Sequence, residues 1–283
     1  MLADVVGYLS CPNCGGALAL GGRALRCAAG HSFDLARHGY VTLLPGRGRS
    51  ARPATGDTSA MVAAREDFLG AGHYQPLTEA LVAAATRAAA AAPGCVVDLG
   101  AGPGHHLAAV LDRLPGRPGL AADASKYAAR RAARAHSRTG AVVCDAWRRL
   151  PVRSGSAAMV LDVFAPRNGA EIARVLHPDG ALVVVAPTDR HLAELVGTLD
   201  LITVDPLKQE RMERTLGSLL QPVRSAELEF PMELDHTAVT ALAGMGPSAR
   251  HADAGMRRQR TAVLPEPVTV TASVTVSTWR RAS

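Results

Sequence analysis

Aromatic residues are scarce, at 4% of 283 positions with only two tryptophans. Stacking platforms for single-stranded RNA are therefore few, and any nucleic-acid recognition has to lean on phosphates and shape. Lysine is nearly missing, with arginine supplying 29 of the 31 basic side chains. Alongside abundant alanine this looks like a GC-rich coding bias, so the arginine excess alone does not identify a function. No apolar run approaches the ~20 residues of a membrane-spanning helix. Residues 1–10 carry an acid and no basic lead into an apolar core, which argues against a secretory signal. The expectation is a cytoplasmic protein with no membrane partner. Cysteine is limited to five, three of them before residue 30 and two, Cys95 and Cys144, in apolar strand-like runs, so a disulfide framework is not expected.

What is present begins with charge. A formal net charge of +6 and a pI near 9.4 favour an anionic partner such as nucleic acid. The length allows one large domain or two smaller ones with a substantial core. Near the start, Cys11-Pro12-Asn13-Cys14 is followed after twelve residues by Cys27-Ala28-Ala29-Gly30-His31. A C-x2-C pair and a C-x3-H pair on tight turns can meet around one tetrahedral zinc ion. Four protein ligands leave no place for an activated water. The site should thus be structural, holding a small β-rich module that could not bury enough core by itself. His38 is a less well-spaced competitor. The module is expected over residues 1–44, a Gly/Pro/Arg-rich linker over 45–56, and a second domain over 57–283.

That second domain is organised around Val96-Val97-Asp98-Leu99-Gly100-Ala101-Gly102-Pro103-Gly104, followed by His105 and His106. Two β-branched residues and an acid lead into alternate glycines, the pattern of a buried strand ending in a turn whose backbone can approach a ligand closely. A dinucleotide fingerprint requires G-x-G-x-x-G. Here the third glycine comes one place early, which points away from NAD and toward S-adenosylmethionine. Short apolar runs at 96–99, 119–123, 141–145, 158–164 and 181–187 alternate with helix-like segments, and 225–234 and 268–279 read as an antiparallel edge pair. The fold class expected is α/β, a doubly wound Rossmann-like sheet of seven strands. Asp123 and Asp145 end the second and third strands, so they should open onto the same crevice as the glycine loop, where Asp123 can accept hydrogen bonds from ribose hydroxyls. Ahead of the sheet, Asp57 or Thr58 can cap a helix carrying Met61, Ala64, Arg65, Phe68 and Leu69, and an alanine-rich helix follows over 78–92. The segment 126–138 reads as an exposed basic helix. Gly244 to Ser248 and Arg257, Arg258 and Arg260 are loop or helix-end candidates for substrate contact.

The order of these features resembles the RlmA family of 23S ribosomal RNA guanine-N1 methyltransferases, including its actinobacterial macrolide-resistance branch. The resemblance rests on CPNC with CAAGHSFDLARHGYVTLL (11–14, 27–44), GDTSAMVAAREDFLGAGHYQPL (56–77), VVDLGAGPGHH (96–106), DASKYAARRAAR (123–134), VFAPRN (163–168), RVLHPDGALVVVAPTDRHLAEL (174–195) and MGPS (245–248). It implies an S-adenosylmethionine-dependent methyltransferase fold behind an RNA-reading zinc module, with Cys11, Cys14, Cys27 and His31 as ligands of one structural zinc ion. It also implies a cofactor site at Gly102 and Pro103, with Tyr74 and His191 as further contacts. Asp98, Gly100, Gly104, Asp123 and Asp145 would complete that site. The implied reaction is methyl transfer to N1 of a guanine in a 23S rRNA hairpin loop, position 748 being favoured over 745, with macrolide resistance as the outcome. The partner is thus 23S rRNA, and a homodimer is compatible with the resemblance.

Methyl transfer needs N1 of guanine aligned in line with the sulfonium methyl, and a route for the N1 proton. Asp162, at the end of the fourth strand, is the nearest candidate base by position. Phe164, Ala165 and Pro166 stand where amino-methylating enzymes carry an Asn/Asp-Pro-Pro-aromatic motif and are expected to line the guanine pocket. Two other readings remain open: a methyltransferase acting on a small secondary metabolite, and a non-catalytic zinc-bearing RNA-binding protein. The first leaves the zinc module and basic balance without a role, while intact Gly100, Gly102, Asp123 and Asp145 weigh against the second.

Overall fold

A computed structural model describes residues 1–45, 56–89, 92–203, 214–250 and 254–282. The expected linker at 45–56, with Arg47, Arg49 and Arg52, lies almost wholly outside the described residues. The seven expected strands form: β5 (Cys95–Leu99), β6 (Gly119–Asp123), β7 (Thr139–Val143), β8 (Ala157–Val163), β9 (Leu176–Pro187), β10 (Leu220–Leu234) and β11 (Val268–Arg281). An eighth strand, β4 (Tyr40–Thr42), joins them from the N-terminal region, giving the order β10-β11-β9-β8-β5-β6-β7-β4. The correction to the seven-stranded expectation is therefore one of addition. Tyr40-Val41-Thr42 pairs in parallel with Ala141-Val142-Val143 and covers the edge that β7 would otherwise expose.

Only β11 runs against its neighbours, pairing antiparallel with both β10 and β9. The chain winds outward from β5 through β6 and β7 on one side and through β8 and β9 on the other. The switch point thus lies between β5 and β8, which pair in parallel from Val96 opposite Met159 to Leu99 opposite Asp162. A crevice opens there, beyond the carboxyl ends of the strands. Every residue of β5 is buried, as is the 181–186 run of β9, which explains why both read as continuous apolar segments rather than alternating ones.

The helices take their positions from local signals. Thr58, not Asp57, caps α2 (Ser59–Gly70), its hydroxyl accepting the Met61 N–H at 3.2 Å. The alanine-rich α3 spans Gln75–Ala88, and α4 (His105–Arg113) starts directly from the glycine loop. In α5 (Lys126–Ala135) the arginines point outward because Ala128, Ala129 and Ala132 form the buried face. Arg138 does not belong to that exposed stripe, since its guanidinium donates to the carbonyls of Leu111, Leu114 and Arg117 and so closes the end of α4. Of the loop or helix-end candidates, Gly244 to Ser248 lie at and just beyond the end of α8 (His236–Met245), while Arg257, Arg258 and Arg260 lie on α9 (Ala254–Thr261). Asp235 caps α8 by accepting the Ala238 N–H at 2.7 Å.

The N-terminal region is not a separate body. β1 (Leu18–Gly21), β2 (Ala24–Cys27) and β3 (Ser32–Asp34) make a small antiparallel sheet. Its Leu18 and Leu25 share one buried cluster with Leu9, Leu150 and Val152 and with Val97 and Leu99 of β5. Helix α1 (Leu2–Val5) lies on β7 so tightly that a Cβ at Gly140 would stand 2.3 Å from Val5. The expected boundary at residue 44 consequently falls inside shared packing.

Candidate active site and zinc centre

The four expected metal ligands converge. One donor atom each from Cys11, Cys14, Cys27 and His31 lies within 4.8 Å of all the others. Cys11 Sγ is 3.6 Å from His31 Nδ1, Cys27 Sγ 3.3 Å from the same nitrogen, and Cys14 Sγ 3.7 Å from Cys27 Sγ. A tetrahedron with Zn–S near 2.3 Å and Zn–N near 2.1 Å has edges of about 3.6–3.8 Å, so the donor set fits one zinc ion with His31 binding through Nδ1. The knuckles are set by backbone, Gly15 N–H donating to Cys11 and Gly30 N–H to Cys27. Burial raises the Cys27 thiol, but hydrogen bonds from His31, Cys14 and Ala29 together outweigh it and bring the group down to about 6, favouring the thiolate a metal needs. His38 is not a competitor: its ring lies against Arg37 and Arg134 instead.

In the crevice, the glycine loop is shaped by what lies against it. Gly100 has φ +66°, and a Cβ there would stand 2.8 Å from the Cβ of Ala165. The loop after β5 therefore touches the VFAP stretch after β8, bringing the expected cofactor and guanine-pocket segments into contact. Gly104, in the same loop, also has a packing role. Its missing side chain leaves room for Ala132 and Ala135 of α5. Asp123 faces the loop, its carboxylate accepting N–H bonds from Gly102 at 2.9 Å and Ser125 at 2.7 Å. Asp98 is buried beneath. Burial, then the charges of Asp162 and Asp123, push its carboxyl well above the ordinary range. Asp145 sits at the expected strand end but spends its carboxylate on the Trp147 N–H at 3.0 Å and on Arg148 at 3.4 Å.

Tyr74 and His191, 117 residues apart, meet at 3.2 Å between Oη and Nε2. His191 Nδ1 accepts the backbone N–H of Ser273 at 3.2 Å. The other ring nitrogen must then carry the hydrogen and donate to Tyr74, which leaves the tyrosine's own proton available to another acceptor. Burial raises the Tyr74 phenol, keeping that proton in place. The ring of Phe164 completes the group, 5.4 Å from His191 and 6.2 Å from Tyr74. Phe164 has φ +55°, a strained backbone for an aromatic residue, and its side chain is part exposed. A residue held this way at the mouth of a crevice is aimed at something outside the core.

Asp162, the candidate base by position, lies near the end of β8. It is fully buried, and its Oδ1 lies 3.0 Å from Nε of Arg167, itself nearly buried. The pair fastens the VFAPRN loop to the end of β8. One crevice residue was not legible as such. Arg65 fits the helical repeat of α2, but its guanidinium reaches Asp57 and the Met245 carbonyl, each at 2.6 Å, and lies 3.4 Å from where a Gly102 Cβ would be. It joins three separate motifs across the glycine loop. The only hint in the sequence was an arginine on the helix face that otherwise carries Met61, Phe68 and Leu69.

This fold, with its glycine loop and facing acid, is that of the S-adenosylmethionine-dependent methyltransferases. Among solved structures, one titled as a "putative methyltransferase" from Bacillus halodurans aligns with a TM-score of 0.51 at 13% identity, over 71% of this chain and 99% of that one. Residues 9–52 match the zinc-ribbon family model described as "RlmA, N-terminal". A Streptomyces fradiae protein named "23S rRNA (guanine(748)-N(1))-methyltransferase" is 48% identical, and a Micromonospora griseorubida protein named "Putative 23S rRNA (guanine-N(1)-)-methyltransferase" is 50% identical, each over 99% of both chains. The chain belongs to this RlmA-type family of 23S rRNA guanine-N1 methyltransferases.

Proposed function

We propose that the protein transfers the methyl group of S-adenosylmethionine to N1 of a guanine in a hairpin loop of 23S rRNA, at position 748, and that the modification confers macrolide resistance. The carrying observation is the contact between the glycine loop and the VFAP loop at Gly100 and Ala165, with Phe164, Tyr74 and His191 grouped beside it. A methyl donor on the first loop and a flat acceptor against the second would be adjacent. The choice of position 748 is supported by the name of the Streptomyces relative and by identity over the whole chain.

The residues fit the cofactor. Gly100 leaves exposed backbone where a Cβ would collide with Ala165, and Asp123 offers an acceptor already oriented by the N–H groups of Gly102 and Ser125. Bound S-adenosylmethionine supplies an electrophilic methyl carbon, and the chain's task is alignment. Phe164, Ala165 and Pro166 hold the base, while Tyr74 and His191 border the donor. Guanine N1 forms the new bond as the C–S bond breaks with its electron pair remaining on sulfur, and the N1 proton leaves to solvent. Among the described residues no helix is long and apolar enough to cross a membrane, and a ribosomal RNA substrate puts the work in the cytoplasm.

Primer extension on 23S rRNA tests the reading, because N1-methylguanine cannot form its Watson–Crick pair and halts the polymerase. The expected result is a stop at position 748 that appears with protein and cofactor, and raised macrolide tolerance in a sensitive host expressing the gene. A small-molecule methyltransferase would give no stop. Asp123→Ala is expected to weaken S-adenosylmethionine binding by about ten- to a hundredfold, the loss of one or two hydrogen bonds to a charged group. Calorimetry checks this, and an unchanged affinity would remove Asp123 from the site.

A further inference from the structure

The two tryptophans differ sharply. Trp279 is 1% exposed and donates its indole N–H to Ser277, whereas Trp147 is 66% exposed. It is the most exposed aromatic side chain of the protein, ahead of Phe164 at 39% and Tyr127 at 38%. Trp147 also lies in an informative place. It follows Asp145 at the end of β7 and opens an exposed run with Arg148 and Arg149. On one side of this run, Arg149 Nη2 comes within 3.9 Å of the Cβ position at Gly15, in the zinc turn. On the other, the Trp147 carbonyl accepts from Asn168 Nδ2 at 3.2 Å. Asn168 ends VFAPRN, four residues or about 14 Å of extended chain from Phe164. The stretch then enters the seam with the N-terminal region, where Ser10 N–H donates to Pro151 and Leu9 bridges Val152.

We propose that Trp147 is a stacking platform for an unpaired nucleobase neighbouring the target guanine in the RNA loop, with Arg148 and Arg149 gripping the adjoining phosphates. This rests on the RNA reading of the crevice. An indole with two arginines provides the combination that single-stranded RNA recognition uses, a π-face for a base and cations for its backbone. Asp145 accepts the N–H of Trp147 and Asn168 donates to its carbonyl, so the ring is presented from a held backbone. The position, between zinc turn and guanine pocket, suits a base flanking the one being methylated.

The full-length protein, with an unmethylated transcript of the target hairpin loop, tests this. Trp147→Ala is expected to raise the KM for RNA about tenfold, leaving kcat at saturating RNA, S-adenosylmethionine affinity and melting temperature near wild type. Trp147→Phe should keep most of the RNA affinity. The hairpin should quench the red edge of wild-type tryptophan emission, and that quenching should vanish in Trp147→Phe, where only buried Trp279 emits. An unchanged KM in Trp147→Ala, or quenching that persists in Trp147→Phe, overturns the platform. So does a defect seen on ribosomal particles but not on naked RNA, which would make Trp147 a protein contact. A wild type that gives neither primer-extension stop nor RNA binding overturns the RNA reading and the platform with it, and is thereby distinguishable from failure of the platform alone.

Discussion

Asp162→Asn is expected to destabilise the protein by about 3–5 kcal/mol, because it leaves the guanidinium of Arg167 nearly buried without its charge partner. The double variant Asp162→Asn with Arg167→Met should recover a large part of that loss, since removing both charges takes away the desolvation cost along with the attraction. Denaturant melts of the two singles and the double measure this directly. The same set decides what Asp162 does for the reaction. As an anchor of the VFAPRN loop, it acts through the position of Phe164, so kcat should fall in the single variant and return in proportion as stability returns in the double. As a base it would act through its own proton, and Asp162→Asn would lose kcat with a melting curve close to wild type and no rescue from Arg167. Full burial and a 3.0 Å ion pair favour the first outcome.

Much of this site could be read without coordinates because it is local. The glycine loop, the strand before it and the acid closing the next strand lie within 30 residues, and each is specified by residue type and spacing alone. The zinc ligands were equally legible, since two short pairs with a fixed spacer have few alternative uses. Less legible was what neighbours in space add to a local pattern. Asp162 has the sequence position of a catalytic acid, yet Arg167, five residues later, turns back onto it. Gly104 belongs to the loop by sequence but answers to α5 in space. Arg65 is periodic with an apolar helix face, and nothing in its neighbourhood announces Asp57, Gly102 and Met245 as its surroundings. Tyr40-Val41-Thr42 is too short to declare a partner, and its parallel pairing with β7 is fixed by α1 and the ribbon packing around it. Tyr74 and His191 became visible only through family resemblance. Their meeting depends on α3 and the loop after β9 arriving together, which no spacing rule encodes.

Removing zinc is expected to abolish RNA methylation, by on the order of a hundredfold or more, while S-adenosylmethionine affinity at 25 °C changes by less than about threefold. The small sheet of β1 to β3 has three or four residues per strand and one buried face. Structural zinc in such ribbons contributes about 10–16 kcal/mol, more than this much apolar surface can replace. Without the ion, residues 11–36 should therefore lose their order. The damage then follows the contacts. The Gly15 turn releases Arg149, and the Leu18 and Leu25 packing against Leu150 and Val152 is lost, so the exposed run from Trp147 to Arg149 loses the wall on one side. The glycine loop, Asp123 and the Tyr74–His191 pair are held by β5, β6, α3 and β11, none of which takes a metal ligand. Chelation or Cys14→Ser, followed by calorimetry with S-adenosylmethionine and primer extension on 23S rRNA, separates the outcomes. Methylation that survives metal loss would take the ribbon out of RNA recognition. Joint loss of methylation and cofactor binding would instead mean that β4 and α1 carry the disorder into β7 and the central sheet, making zinc a requirement for the whole fold.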